Sequence, residues 1–224
     1  MIGVTLNGGQ RVSGWFDIMD WPIDHSIRDD PCGQLKAVKL LEETIDKIER
    51  EEGIPASRIV VGGFAQGAAV AMLAAYSRCS RSLEPYAGCV SLSGWLPMRK
   101  RFKANPAVSE TKSPLFWAHG LYDEKVLIEQ QVLGVQKLSD RGISVTACSY
   151  PVGHESFDSQ EIVQMAQFMD ETLFPKVDVE SIHNAEVADA EFLASVESLF
   201  DTNERTTNAQ KVGSYNHTSA YITR

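Results

Sequence analysis

The segment Arg58-Ile-Val-Val-Gly-Gly-Phe64, followed after one residue by the Ala-rich run Gln66–Arg78, constrains the fold more than any other part of the chain. A short unbroken apolar run fits a strand buried on both faces, and such strands belong to parallel sheets covered by helices. The same alternation then repeats. Helices are expected over Gly33–Glu52, with Leu35, Val38, Leu41, Ile45 and Ile48 at helical spacing, and over Leu127–Arg141, with Gly142 as its C-cap. A last helix is expected over Asp158–Leu173, ended by Pro175, and further strands over Tyr86–Gly94, Ser113–Gly120 and Ser144–Tyr150. Strands alternating with helices predict an α/β fold with a mainly parallel sheet flanked by helices. Ligands of such sheets sit beyond the carboxyl ends of the strands, so chemistry is expected in the loops after Phe64, Gly94, Gly120 and Tyr150.

The first of these loops is Gly63-Phe64-Ala65-Gln66-Gly67. With Ser at its centre, this spacing would be the nucleophile elbow of an α/β-hydrolase. The glycines permit a tight turn that lifts the central side chain to the start of the following helix, where the helix dipole and the next N–H can stabilise an oxyanion. Asp123 follows the strand ending His119-Gly120, and His154 follows the strand ending Tyr150. The chain order is then elbow, acid, base, the order of that hydrolase triad. An Asp in this place accepts the imidazole Nδ1–H and fixes its tautomer. His119, directly after a strand, is read as a turn-stabilising histidine.

These motifs resemble the acyl-protein thioesterase/lysophospholipase family, the phospholipase/carboxylesterase branch of the α/β-hydrolases. The resemblance is carried by Val4-Thr5-Leu6-Asn7, Gly14-Trp15-Phe16-Asp17-Ile18, Gly53-Ile54-Pro55 with Arg58-Ile59, and Gly62–Gly67. Leu92-Ser93-Gly94-Trp95-Leu96-Pro97, His119-Gly120 with Asp123, and Gly153-His154 extend it, so that it covers residues 4–174. The family removes long acyl groups from protein cysteine thioesters, and many members also hydrolyse lysophospholipids and simple esters. The resemblance implies Asp123 as triad acid, His154 as base, the Gln66 N–H as one oxyanion donor, and Trp15, Phe64 and Trp95 as acyl-site candidates. It implies no cofactor and no metal, and acylated protein cysteines or lysolipids as partners.

Two departures alter that expectation. The family has Ser where this chain has Ala65, and a methyl group has no lone pair with which to attack a carbonyl. Ser91 and Ser93 lie on the next strand and its exit, not on an elbow. The family's strands before the VTLN segment, with an H-G-x-G-D loop supplying a second oxyanion donor, are also missing. Residues 59–61 are therefore expected at an unpaired sheet edge, an invitation to pairing with another chain, and an incomplete or aberrantly spliced N-terminus is expected, with a genuine short paralogue whose edge is covered by something else as the alternative. The reading is a family member impaired in hydrolysis, with a catalytically dead acyl-binding protein or a non-functional fragment as alternatives.

Charge and cysteine usage narrow the setting. Thirty acidic against 21 basic residues leave a net charge of −9, which disfavours nucleic-acid binding. No apolar stretch approaches the ~18 residues of a membrane span, and the start MIGVTLNGGQ lacks a secretory signal. Cys32, Cys79, Cys89 and Cys148 are scattered, without metal-ligand spacing, so reduced thiols and a cytoplasmic home are expected. The cluster Arg99, Lys100, Arg101 and Lys103 is read as a solvated face, with transient contact to anionic lipid headgroups as the functional alternative. Domain organisation is expected as a partial hydrolase domain over 1–176 and an acidic extension over 177–224. In that extension Phe192, Leu193, Val196, Leu199 and Phe200 form one stripe of a helix at about 185–200, followed by a disordered tail.

Overall fold

The computed structural model describes residues 2–77, 84–106 and 113–175. The expected C-terminal helix and tail lie outside the described residues. A short antiparallel hairpin opens the chain, β1 (Ile2–Val4) with β2 (Gln10–Val12). The sequence pattern did not announce it, because three-residue strands are too short to show a period. Then come α1 (Pro31–Glu52), β3 (Val60–Phe64), α2 (Gln66–Tyr76), β4 (Gly88–Leu92), β5 (Leu115–Gly120), α3 (Glu129–Ser139), β6 (Val145–Tyr150) and α4 (Ser159–Leu173). Strands β3 to β6 form a parallel sheet in the order β3-β4-β5-β6, in the register Val61↔Cys89, Val90↔Phe116 and Trp117↔Ala147.

Side chains alternate across the pleat and feed two cores. Val61, Cys89, Leu115 and Trp117 pack with α1, α2 and α3, while Val90, Phe116, Ala118 and Tyr150 pack on the other face with Met165, Phe168 and Met169 of α4. Helix α2 is buried from Ala68 to Tyr76, which is why it is apolar on every side. Its small residues let it lie close to the sheet: Cβ added to Gly63 would stand 2.5 Å from the Gly67 carbonyl carbon.

Some expectations shift by physical detail. In α1 Leu35 is exposed while Gln34 and Glu42 are buried, because the buried stripe runs through Gln34, Ala37, Val38 and Ile45. Gln34 belongs there because its side-chain amide donates to Asp29, and Asp30 caps the helix by accepting from Gly33 N–H. Helix α3 ends at Ser139 with Asp140 as C-cap, and Gly142 takes the left-handed turn two residues later at φ 79°. Strand β3 is not buried on both faces as its apolar run suggested: it is an outer strand among the described residues, with Gly62 and Phe64 exposed. The unpaired edge expected at 59–61 falls on this strand. Ala87 N–H bonds Ile59 O and Ala65 N–H bonds Leu92 O, so odd-numbered residues face β4 and the backbone groups of Val60, Gly62 and Phe64 point outward.

Candidate active site

Parallel pairing brings the carboxyl ends of β3, β5 and β6 to one edge, and with them Ala65, Asp123 and His154. Ala65 sits between β3 and α2 at φ 48°, ψ −114°, a conformation L-residues avoid. Two bonds hold it there: its N–H donates to Leu92 O at 2.9 Å, and its carbonyl accepts from Ala69 N–H at 3.1 Å. Helix α2 starts without a side-chain cap, and the N–H groups of Gln66 and Gly67 have no acceptor among the described residues. These groups carry the positive end of the helix.

The Gln66 side chain cannot fold back to serve as that cap. Its Oε1 accepts from Trp15 N–H at 3.1 Å and its Nε2 donates to Phe16 O at 2.9 Å. Residues 13–18 are thereby strapped beside the elbow. The strap is anchored again where Asp17 accepts from the Thr5 backbone N–H, at 2.6 Å, and from the Thr5 hydroxyl.

Asp123 is held by backbone donors, with Oδ1 accepting from Lys125 N–H at 2.9 Å and Val126 N–H at 2.8 Å. Its Oδ2 lies 2.7 Å from His154 Nδ1. A carboxylate can only accept, so Nδ1 carries the proton and Nε2 is left for chemistry. Burial pushes the Asp123 carboxyl up, but the His154 bond, the two backbone bonds and the charge of a protonated His154 outweigh it and hold it below its ordinary value. His119 is fully buried and approaches the same carboxylate oxygen, Nε2 3.5 Å from Asp123 Oδ2. Its Nε2–H donates to Val126 O at 2.7 Å, which ties the end of β5 to the loop carrying Asp123. Burial lowers its pKa against the opposing pull of Val126 O and Asp123, so it stays neutral. The loops carrying Asp123 and His154 are also bonded to each other, Leu121 N–H to Tyr150 O at 2.7 Å and Tyr122 N–H to Val152 O at 3.0 Å.

Ala65, Gln66 and His154 line one cavity of about 630 Å³, within the range of small-molecule sites. Trp15, Ile18, Trp21, Leu40 and Phe64 supply its apolar wall. The Phe64 ring lies 4.9 Å from the His154 ring and 5.8 Å from that of Phe157. Trp95 is a correction to the sequence reading. It does not line this cavity but is buried edge-on against Phe16, ring centroids 5.8 Å apart, because the chain after β4 turns into the core. Ser91 and Ser93 are likewise buried away from the cavity. Sequence reasoning missed Trp21, Leu40, the Gln66 strap, and an ion pair between Lys125 and Glu155 that bridges the two loops at the rim. Only that pair had a visible signal, since each partner lies within two residues of Asp123 or His154. Among the described residues no cluster of His, Cys, Asp and Glu could hold a metal ion.

The family model for phospholipase/carboxylesterase matches residues 1–173. The chain is 38% identical over 172 residues to an acyl-protein thioesterase 1 homolog of Dictyostelium discoideum, covering 76% of this chain and 72% of that one. It is 38% identical over 126 residues to acyl-protein thioesterase 1 of Cryptococcus neoformans, of whose length it spans 51%. The crystal structure of acyl-protein thioesterase 2 from Zea mays superposes with a TM-score of 0.65 at 26% identity, covering 77% of this chain and 78% of that one.

Proposed function

Because the chain belongs to the phospholipase/carboxylesterase family of α/β-hydrolases, we propose that its cavity receives the acyl group of an acylated protein cysteine or a lysolipid, with cleavage impaired at one atom. The observation that carries this reading is an elbow still held in its strained conformation at Ala65, opening on a cavity also lined by His154, whose ring is bonded to buried Asp123. In a complete triad, His154 Nε2 would take the proton of a serine hydroxyl and the Gln66 N–H would receive the oxyanion. Loss of a triad nucleophile costs on the order of 10⁶ in kcat, or roughly 8 kcal/mol of barrier. The apolar wall, including Trp15 and Phe64, would hold an acyl chain without that step. Among the described residues no helix is long and apolar enough to cross a membrane, so substrates anchored in one would be met at its surface. The free thiols of Cys32, Cys89 and Cys148 support a reducing, cytoplasmic setting.

The test is turnover of a p-nitrophenyl ester and a palmitoyl thioester by the parent chain and by Ala65→Ser. The variant is expected to gain at least ~10²-fold in ester hydrolysis and to be labelled covalently by a fluorophosphonate at the new hydroxyl. Parent turnover that Ser13→Ala abolishes would overturn the assignment of Ala65 as the missing nucleophile, since Ser13 is the hydroxyl residue lining the cavity.

A further inference from the structure

Three side chains of the cavity's apolar wall, Trp15, Ile18 and Trp21, come from residues 13–22, a segment that forms neither helix nor strand. Without a ladder of its own, such a segment is placed by the bonds its backbone makes to its surroundings. At residues 17 and 18 these run to fixed neighbours, from Asp17 N–H to Asp30 Oδ2 and from Leu6 N–H to Ile18 O, both at 3.0 Å. At residues 15 and 16 the backbone bonds among the described residues are the two made by the Gln66 amide. Phe16 is also held by its buried ring, but Trp15 stays 43% exposed, so burial does not fix its indole. That indole nevertheless lies against the first turn of α2: a Cβ added to Gly67 would stand 3.7 Å from Trp15 Nε1, an ordinary contact distance.

We propose that Gln66 is a positioning residue for the acyl wall: its side-chain amide holds the Trp15 indole against the start of α2, as a surface on which an alkyl chain packs. The proposal rests on the acyl-site reading above. An amide carries an acceptor and a donor side by side, and so matches the N–H of residue 15 and the C=O of residue 16 at once. Glutamate would keep the bond from Trp15 N–H but has no donor for Phe16 O, and methionine, of the same reach, makes neither bond. A ring held in this way is preformed, so a ligand does not have to order it on binding. Released from the amide, the half-exposed indole would have to be ordered by each ligand in turn. The loss falls on long chains, which draw their affinity from the wall, and spares short ones, which touch little of it. The residue that follows Ala65 in the chain thus also carries the wall beside it.

Calorimetric titration of the full chain with N-acetyl-S-octylcysteine amide and its S-butyl homologue tests this, both being thioethers that no hydrolase can cleave. The parent is expected to bind the octyl ligand at least ~10-fold more tightly than the butyl one, from four further methylenes against the wall. Gln66→Met should cut that preference to ~3-fold or less, as should Trp15→Ala, and the double variant should lose no more than Trp15→Ala alone, because both changes act on one ring. Gln66→Glu should fall between the parent and Gln66→Met. Circular dichroism checks each fold, and if Gln66→Met does not fold, Gln66→Glu takes its place in the cycle with Trp15→Ala. A preference kept by the Gln66 variant or by Trp15→Ala, or losses that add in the double variant, overturns this inference and leaves the acyl site standing. No binding of either ligand by the parent, or no preference for the longer chain, removes the acyl site as well.

Discussion

Replacing Ala65 by glycine should stabilise the protein. Most Ala→Gly changes destabilise, by about 1 kcal/mol in a helix interior. Ala65, however, sits at φ 48°, ψ −114°, pinned by its bonds to Leu92 and Ala69 and unable to relax without breaking one of them. A side chain held in such a region stores about 1–3 kcal/mol, which glycine releases because it has no Cβ. Against this stands the greater freedom of glycine in the unfolded chain, about 0.4–1 kcal/mol. The Ala65 methyl faces the cavity, so its removal opens no hole in the core. Taking the middle of each range, about 2 less about 0.7, the net gain is about 1.3 kcal/mol, or a rise in Tm of roughly 3–5 °C at the ~2–4 °C per kcal/mol of a domain this size. Differential scanning calorimetry of the parent and Ala65→Gly gives the answer, with Ala71→Gly inside buried α2 as a control expected to lower Tm. If Ala65→Gly falls together with the control, the elbow is not strained and the argument that it is a preserved nucleophile turn fails.

Gly63→Ala should cost about 2–3 kcal/mol in urea unfolding, since its Cβ would stand 2.5 Å from Gly67 C and 2.7 Å from Ala68 N and would force α2 away from β3; an unchanged midpoint would refute that packing. His119 is held neutral by burial, its folded pKa below the ~6.5 of an unfolded chain, so the unfolded state takes up the proton first. Its contribution is complete above pH ~6.5 and is lost as pH falls through the folded value. Stability measured by urea at pH 7, 6 and 5 should fall less steeply in His119→Gln than in the parent, and identical slopes would count against it. Asp123 titrates in a separate window, because a carboxyl held below its ordinary value contributes above pH ~4 and loses that contribution only in more acid solution. Asp123→Asn should therefore flatten the acid limb of the stability curve and leave the limb above pH 5 unchanged.

What the chain by itself determined is local. A run of β-branched residues, two glycines and an alanine-rich stretch dictate a strand, a sharp turn and a buried helix, because backbone sterics and side-chain volume act over a few residues. The order of strands and helices carried the parallel sheet as well, and with it the meeting of the loops that hold Ala65, Asp123 and His154. Tertiary packing decided the rest. Whether Trp95 faces the cavity or the core depends on where Phe16 lies, a residue far away in sequence. The Gln66 amide could have capped its own helix, but the strap at Trp15 and Phe16 claims it. Strand β3 reads as doubly buried from its composition, yet it lies at the margin of the described sheet, since apolarity records what a strand can tolerate and not what is placed beside it. Whether a side chain's partner is a neighbour in sequence or a residue brought close by folding separates what could be read early from what could not.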